Sequence, residues 1–238
     1  TEHSIAQGQS HIATNNQNVA IFGSTNNLNQ ETSSLAIGNS NDIDFGEDSF
    51  YGGKSNTNNV TKQSIVVGTQ NVSNTNTNSA VFGKSNGVSS STETIVAGDT
   101  ITEQNGKHNA LFGVGHVSVS SEGTLITGKD NAISGSTKYS AIIGETHNIT
   151  GAIKSLTVGN NNTITSSEKS ASFGQELTIK STSHNTLASG NASVINTSTN
   201  SFITGFGHNE TGSTNTVVMG KTNTTLNSKP LAACIVIK

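Results

Sequence analysis

Apolar residues along this chain come in threes. Ala20-Ile21-Phe22, Leu35-Ala36-Ile37, Ile65-Val66-Val67, Ala80-Val81-Phe82, Ile95-Val96-Ala97 and Ala110-Leu111-Phe112 each end against a glycine. Those glycines form one series: Gly8, Gly23, Gly38, Gly53, Gly68, Gly83, Gly98, Gly113, Gly128, Gly144, Gly159, Gly174, Gly190, Gly205 and Gly220, spaced by 15 residues except for two steps of 16. The third residue before the glycine is apolar in every repeat, and the fourth is Ser, Thr or Asn everywhere except Val19. Three apolar residues rich in β-branched types, closed by glycine and recurring without a 3.6-residue period, predict a short β-strand per repeat. A fixed period of this length predicts an all-β solenoid whose coils stack.

Successive side chains of a strand point to opposite faces, so both sides of the triplet need cover. Volume is traded between its first and third residues: Ala20 goes with Phe22, Ala80 with Phe82 and Ala110 with Phe112, whereas Phe50 goes with Gly52 and Phe202 with Thr204. Close-packed interiors tolerate neither voids nor excess, which assigns this compensated face to the inside of the coil. On that assignment Phe112→Ala is expected to cost ~3–5 kcal/mol. The middle residues, Ile21, Ala36, Val66, Val81, Val96, Leu111, Ile126, Ile142, Ile203 and Val218, are then expected to point outward. They would form an apolar stripe through which chains associate.

After each glycine comes a polar turn and a second, weaker strand of the form Gly-x-x-Asn/His-x-apolar, as from Gly23 to Leu28 or Gly144 to Ile149. Its alternation predicts a wall with one side in the coil and the other in water. Asn at the third position suits a corner made by a left-handed or side-chain-bonded turn.

The composition fits this reading. Only 30% of the 238 residues are hydrophobic, 11% are charged and the formal net charge is -3, which gives no electrostatic reason to expect nucleic acid or an anionic membrane as partner. No apolar stretch is long enough to span a bilayer, and no signal-peptide pattern opens the chain. One cysteine, Cys234, provides no intrachain disulfide. It is expected to stand where a sixteenth coil has its residue before glycine.

Asn78-Ser79-Ala80-Val81-Phe82-Gly83, Asn200-Ser201-Phe202-Ile203-Thr204-Gly205 and Ser34-Leu35-Ala36-Ile37-Gly38 resemble the Asn-Ser-Val-Ala-Ile-Gly strand motif of YadA-like heads of trimeric autotransporter adhesins. The likeness runs over residues 1 to about 226. It implies a left-handed parallel β-roll of about fifteen coils, three chains packed around a threefold axis, and a place on the outer surface of a Gram-negative bacterium, with any membrane anchor outside this sequence. It also implies virulence-related adhesion: binding to host-cell receptors or extracellular matrix proteins, and autoaggregation. The chain departs from the family in its longer period and its frequent Phe. Residues 227–238 are expected to be an irregular final coil or the start of a connection to a neck.

Four His share the register of the Asn corner, but His116, His147 and His208 stand two and four coils apart, ~10 and ~19 Å at sheet spacing. They cannot share a zinc ion, so no metal is expected. No Gly-x-Ser-x-Gly elbow or comparable constellation is present, and neither an enzyme nor a cofactor is expected. Phe45, Val114, Tyr139 and Phe206 are apolar where other repeats are polar. They either pack over a neighbouring coil or anchor a partner protein. Two other functions share the repeat: an ice-binding solenoid presenting the column Ser34, Ser49, Ser64, Ser79, Thr94, Thr124 and Ser140, and a segment of a phage tail fibre.

Overall fold

Each triplet, its glycine and the next residue form a five-residue strand, as in Ala80–Lys84, and the second segment forms a three-residue strand, as in Gly87–Ser89. A single bridging residue makes the third side of the coil: Thr77 pairs with Lys62 before it and Thr92 after it. All pairing is parallel and in register. Ala80 lies between Ile65 and Ile95, and Gly83 between Gly68 and Gly98. The computed structural model describes residues 3–227 and the backbone of the strand Ala232–Val236.

The chain is thus an all-β parallel β-solenoid of about 15 turns with a repeat of about 15 residues. Its coils cluster into two units, Thr1–Ser118 and Val119–Lys238. Both are built alike: in the second, Leu125 pairs with Ala141 and Gly128 with Gly144.

Three corners per coil turn through left-handed backbone, occupied in one coil by Thr25 (φ 57°), Gln30 (φ 57°) and Ser33 (φ 50°). The 16-residue steps are absorbed at one of these corners. Gly135 and Ser136 (φ 65° and 61°) and Ser181 and Thr182 (φ 57° and 61°) place two left-handed residues in succession where other coils have one. Register then resumes, with Ile142 on Ile126 and Ile203 on Ala188. The step into the last strand is also one residue longer. Cys234 therefore pairs with Val218, two before the glycine, and not with Met219 as a constant period predicts. Pro230 and the rest of 228–231, with 237–238, lie outside the described residues.

The faces of the triplet are the reverse of those expected from volume compensation. Ile21, Ala36, Val66, Val81, Val96, Leu111, Ile126, Ile142, Ile203 and Val218 are all buried inside their own chain. They are core residues and cannot be the contact between chains. The compensated pairs point outward: Phe82 is 38% exposed, Phe112 40% and Ile95 45%. The reason is room. A coil with three short sides accepts one medium apolar side chain from the first wall and one from the second, such as Leu28, Ile43, Ile149 or Ile164. Tyr51 is the one buried aromatic among the middle residues, and it fits only beside Gly46, where a Cβ would lie 2.3 Å from its hydroxyl. Phe112→Ala consequently opens no cavity within the chain, and the cost expected of buried Phe passes to its neighbour Leu111. The second strand behaves as its alternation predicts, with only its central residue buried.

The glycine column has two independent causes. Gly83 has φ +117°, and a Cβ there would stand 2.0 Å from the carbonyl oxygen of Gly98 in the next coil. Only the absence of a side chain permits both the conformation and the approach. Gly83→Ala should therefore lower unfolding stability by at least ~3 kcal/mol. Lys180→Ala, whose side chain is exposed on the second strand of its coil, should change stability by less than ~0.5 kcal/mol. Thermal and denaturant melts of the two variants make the comparison, and equal melts would contradict the packing at the glycine.

Candidate association surface

Side chains at every second position share the outward face of the first wall, which gives four columns across it. The two central columns are apolar and belong to the compensated pairs. One flank is the corner residue five before each glycine, such as Glu93, His108, Tyr139 and Lys154. The other is the residue just after the glycine, such as Lys84, Asp99, Lys129 and Glu145. Between the first flank and the apolar centre runs a shallow groove. Leu125, Tyr139, Ala141, Lys154, Leu156 and Lys169 line it in one place, and Asn185, Leu187, Asn200 and Phe202 in another. Many of the large apolar residues of this face, among them Ile37, Ile65, Phe82, Ile95, Phe112, Leu125, Phe173 and Phe202, are exposed in the chain, while Phe22, Phe50 and Leu156 are half-buried.

The four odd apolar residues do not form one patch. Val114 and Phe206 lie on the glycine-side flank and Tyr139 on the corner flank, while Phe45 occupies a corner of the coil with φ 56°, away from this wall. All four are exposed. Two of them make a local contact their position allows: the Lys221 ammonium sits 5.9 Å from the Phe206 ring centre, and the Tyr139 hydroxyl donates to Glu122 Oε1 at 3.2 Å. The hydroxyl column expected to face ice is buried. Ser34, Ser49, Ser64, Ser79, Thr94, Thr124 and Ser140 point into the coil with the middle residues, and their hydroxyls bond local carbonyls, as Ser64 does to Lys62 at 2.8 Å.

Inside the coil, the Asn column forms a ladder. Asn41 donates from its backbone N–H to Asn26 Oδ1 at 3.1 Å and from Nδ2 to the Gly53 carbonyl at 3.1 Å, and Asn56 repeats both contacts one coil on. The corner is therefore side-chain-bonded. The left-handed residue is the one before it, such as Ser40 or Ser55. Histidine substitutes for Asn with the same pattern. His147 Nε2 lies 3.1 Å from the Ile143 carbonyl, and its Nδ1 accepts the Asn162 N–H at 3.1 Å. That arrangement requires the neutral Nε2–H tautomer. Desolvation holds its pKa below the usual histidine value, against the pull of the carbonyls of Ile143 and Gly159. Among the described residues no three His, Cys, Asp or Glu side chains converge on a metal position.

Three buried carboxyls escape any reading of the period: Glu31, Glu103 and Glu210. Glu31 occupies an Asn position at the third side, and its Oε1 accepts the Gly46 N–H at 2.5 Å as Asn16 Oδ1 accepts that of Glu31 at 2.9 Å. Glu103 Oε1 accepts from Asn109 Nδ2 at 2.7 Å. Glu210 Oε1 accepts from Ser201 at 2.9 Å and from Thr216. The Oε2 of each has no hydrogen-bond partner among the described residues. Glycine stands beside the first two because a Cβ at Gly46 would meet Glu31 Oε2 at 2.2 Å, and one at Gly106 would meet Glu103 Oε1 at 1.4 Å. These two glycines outside the series are the available signal, and they become legible only when coils are stacked in register. Burial pushes the carboxyls of Glu31 and Glu103 up to about 7, against the hydrogen bonds that favour ionisation.

No family model matches the chain, and no curated protein matches it. Among solved structures, it is similar to the crystal structure of the polySia specific acetyltransferase NeuO at 10% identity, over 93% of this chain and 79% of that one, with a TM-score of 0.14. A score that low carries no argument about function.

The raised carboxyls set a pH dependence. Between the ordinary carboxylate value of 4.5 and about 7 the folded chain binds more protons at Glu31 and Glu103 than the unfolded chain does. Their contribution is thus complete below the unfolded value and is lost as pH rises through about 7, by roughly 3 kcal/mol for each group. His147 acts in the opposite sense: its contribution is present above the ordinary histidine value of 6.5 and is lost as pH falls from there through its depressed pKa. Denaturant melts at pH 5.5 and pH 8 should show Glu31→Gln and Glu103→Gln each stabilising the chain at the higher pH relative to the parent. A parent and double variant with parallel pH profiles would refute the buried ionisations.

Proposed function

We propose that this chain is the head of a trimeric bacterial surface adhesin, in which three copies bury the outward face of the first wall against one another. Its two other sides then remain free to meet host-cell receptors, extracellular matrix proteins or other heads. One observation carries the reading. The apolar columns of that face are exposed in the single chain, yet their neighbours trade volume, Ala80 beside Phe82 and Phe202 beside Thr204. Water places no constraint on summed side-chain volume; a packed neighbour does. The motif resemblance and the solenoid fold agree with a passenger that stands outside the cell. Phe45, at a corner remote from that face, is the aromatic best placed to meet a receptor, whereas Val114, Tyr139 and Phe206 flank the association face.

Sedimentation should give a mass of three times 24.4 kDa. Phe82→Asp with Phe112→Asp should reduce it to a single chain whose β-signal is retained, because neither residue is part of the interior. The trimer should bind immobilised matrix proteins or cultured host cells, with the dissociated variant weaker through lost avidity. A parent that is monomeric at micromolar concentration would overturn the assembly, and a trimer that neither adheres nor self-associates would overturn the adhesive role.

A further inference from the structure

Two residues in consecutive coils of the Thr1–Ser118 unit hold a backbone conformation that their side chains oppose. Phe45 (φ 56°) and Val60 (φ 51°) stand at the left-handed corner between the second strand and the third side. In other coils of this unit the same corner holds Asn15, Gln30, Thr75, Ser90 and Asn105. Left-handed backbone is disfavoured for bulky and β-branched side chains and best tolerated by Gly, Asn and Asp. The two residues are stacked: the Val60 N–H donates to the Asp44 carbonyl at 2.9 Å, as the Phe45 N–H does to that of Asn29 at 2.9 Å. Burial within the chain does not offset the strain, since Phe45 is 46% and Val60 39% exposed.

The surroundings of this apolar corner are acidic. Asp42 and Asp44 share the outward face of the second strand, with Ile43 buried between them, and Glu47 and Asp48 follow on the far side of Phe45. At the matching positions the coil before has Asn27, Asn29, Thr32 and Ser33, and the coil after has Thr57, Asn59, Lys62 and Gln63. Lys62 is the one cation in this set, and it pairs with Glu47 at 2.9 Å. Asp42 Oδ1 accepts from Asn27 Nδ2 at 2.7 Å, which leaves its charge intact. Among the described residues Asp42, Asp44 and Asp48 have no ion-pair partner.

We infer that Phe45 and Val60 are the contact point for a basic segment of another protein, one in which apolar side chains stand among arginines. This rests on the adhesive reading above and names the chemistry of the receptor. A guanidinium laid over the Phe45 ring is within the same neighbourhood as the carboxylates on either side of it, and an apolar side chain next to that arginine covers Val60. A neutral partner gains nothing from three uncompensated carboxylates, and their field opposes anionic glycans and nucleic acids. The corner joins the second and third sides of the coil, so association through the first wall leaves it open to solvent.

The probe is a labelled Arg-Arg-Leu-Leu-Arg-Arg peptide, compared with Glu-Glu-Leu-Leu-Glu-Glu and Arg-Arg-Ser-Ser-Arg-Arg. The parent should bind the first most tightly, and less so as salt rises from about 0.05 to about 0.5 M. Phe45→Asn with Val60→Asn should weaken that binding by about tenfold or more, and Asp44→Asn or Asp48→Asn by about two- to fivefold each. The double variant should melt at or above the temperature of the parent, because Asn suits left-handed backbone. It should also adhere less to matrix proteins or cultured host cells. A clear drop in its melting temperature would make the pair structural and overturn the inference. Equal binding of the three peptides, or a double variant that binds the first peptide as the parent does, would overturn it as well. A parent that adheres together with a double variant that adheres equally would remove this corner as the receptor contact while the adhesive reading stands. A parent that binds the peptide through this corner yet neither adheres nor self-associates would keep the basic-segment contact and overturn the adhesive reading.

Discussion

Parallel stacking in register is the constraint from which the rest of this structure follows. Each coil contributes the same positions to the same columns, so every column must be able to repeat upon itself. Glycine repeats because the carbonyl of the next glycine occupies the space of its missing Cβ, 2.0 Å away at Gly83. Asparagine repeats because its side chain accepts from the backbone of one coil and donates to that of another, so Asn26, Asn41, Asn56 and Asn71 form a chain of satisfied donors and acceptors. A residue that cannot bond its own kind along the column survives only where a neighbour yields.

This explains how a chain only 30% hydrophobic holds a fixed fold. Of the interior columns, one from each strand is mostly apolar, and the others are filled largely by Ser, Thr, Asn and His, many of which bond to backbone. Polar burial is tolerable when it is hydrogen-bonded, and the stacked backbone supplies most of the partners, though not those of Asn58 or the Ser172 hydroxyl. The buried carboxyls mark where that pattern is incomplete. Glu31 Oε1 fills the place of an Asn oxygen, but its second oxygen has no counterpart in the ladder, and so burial favours the protonated form. Glu31 and Glu103 on one side and His147 on the other therefore pull stability in opposite directions with pH.

The period, the glycine column and the second strand's single buried residue could be read from the chain because each is a strict local repetition. The orientation of the triplet could not. Ala110 with Phe112 looks like an interior pair by volume, and Leu111 alone looks like an outward stripe, because compensation reports contact with something solid without saying whether that solid is the same chain. The width of the coil decides it, and width depends on all three sides together. Glu31, Glu103 and the extra corner residues at Ser136 and Thr182 were opaque for a related reason: each is defined by what lies one coil away.

The inversion strengthens the case for association. Had the compensated pairs been interior, the outward stripe would have been a single column of Val, Ile and Leu, narrow enough to be shaded by its flanking polar residues. The actual outward face carries two apolar columns with Phe82, Phe112, Phe173 and Phe202 among them, all exposed in the chain. Individual exposed apolar residues need no explanation, but a repeating double column does. Its edges are polar and unlike, one bearing Glu93 and Lys154 and the other Lys84 and Glu145. An apolar centre provides area without direction, and the unequal edges provide the direction. Together they favour a closed ring of like chains over open-ended association through the same faces.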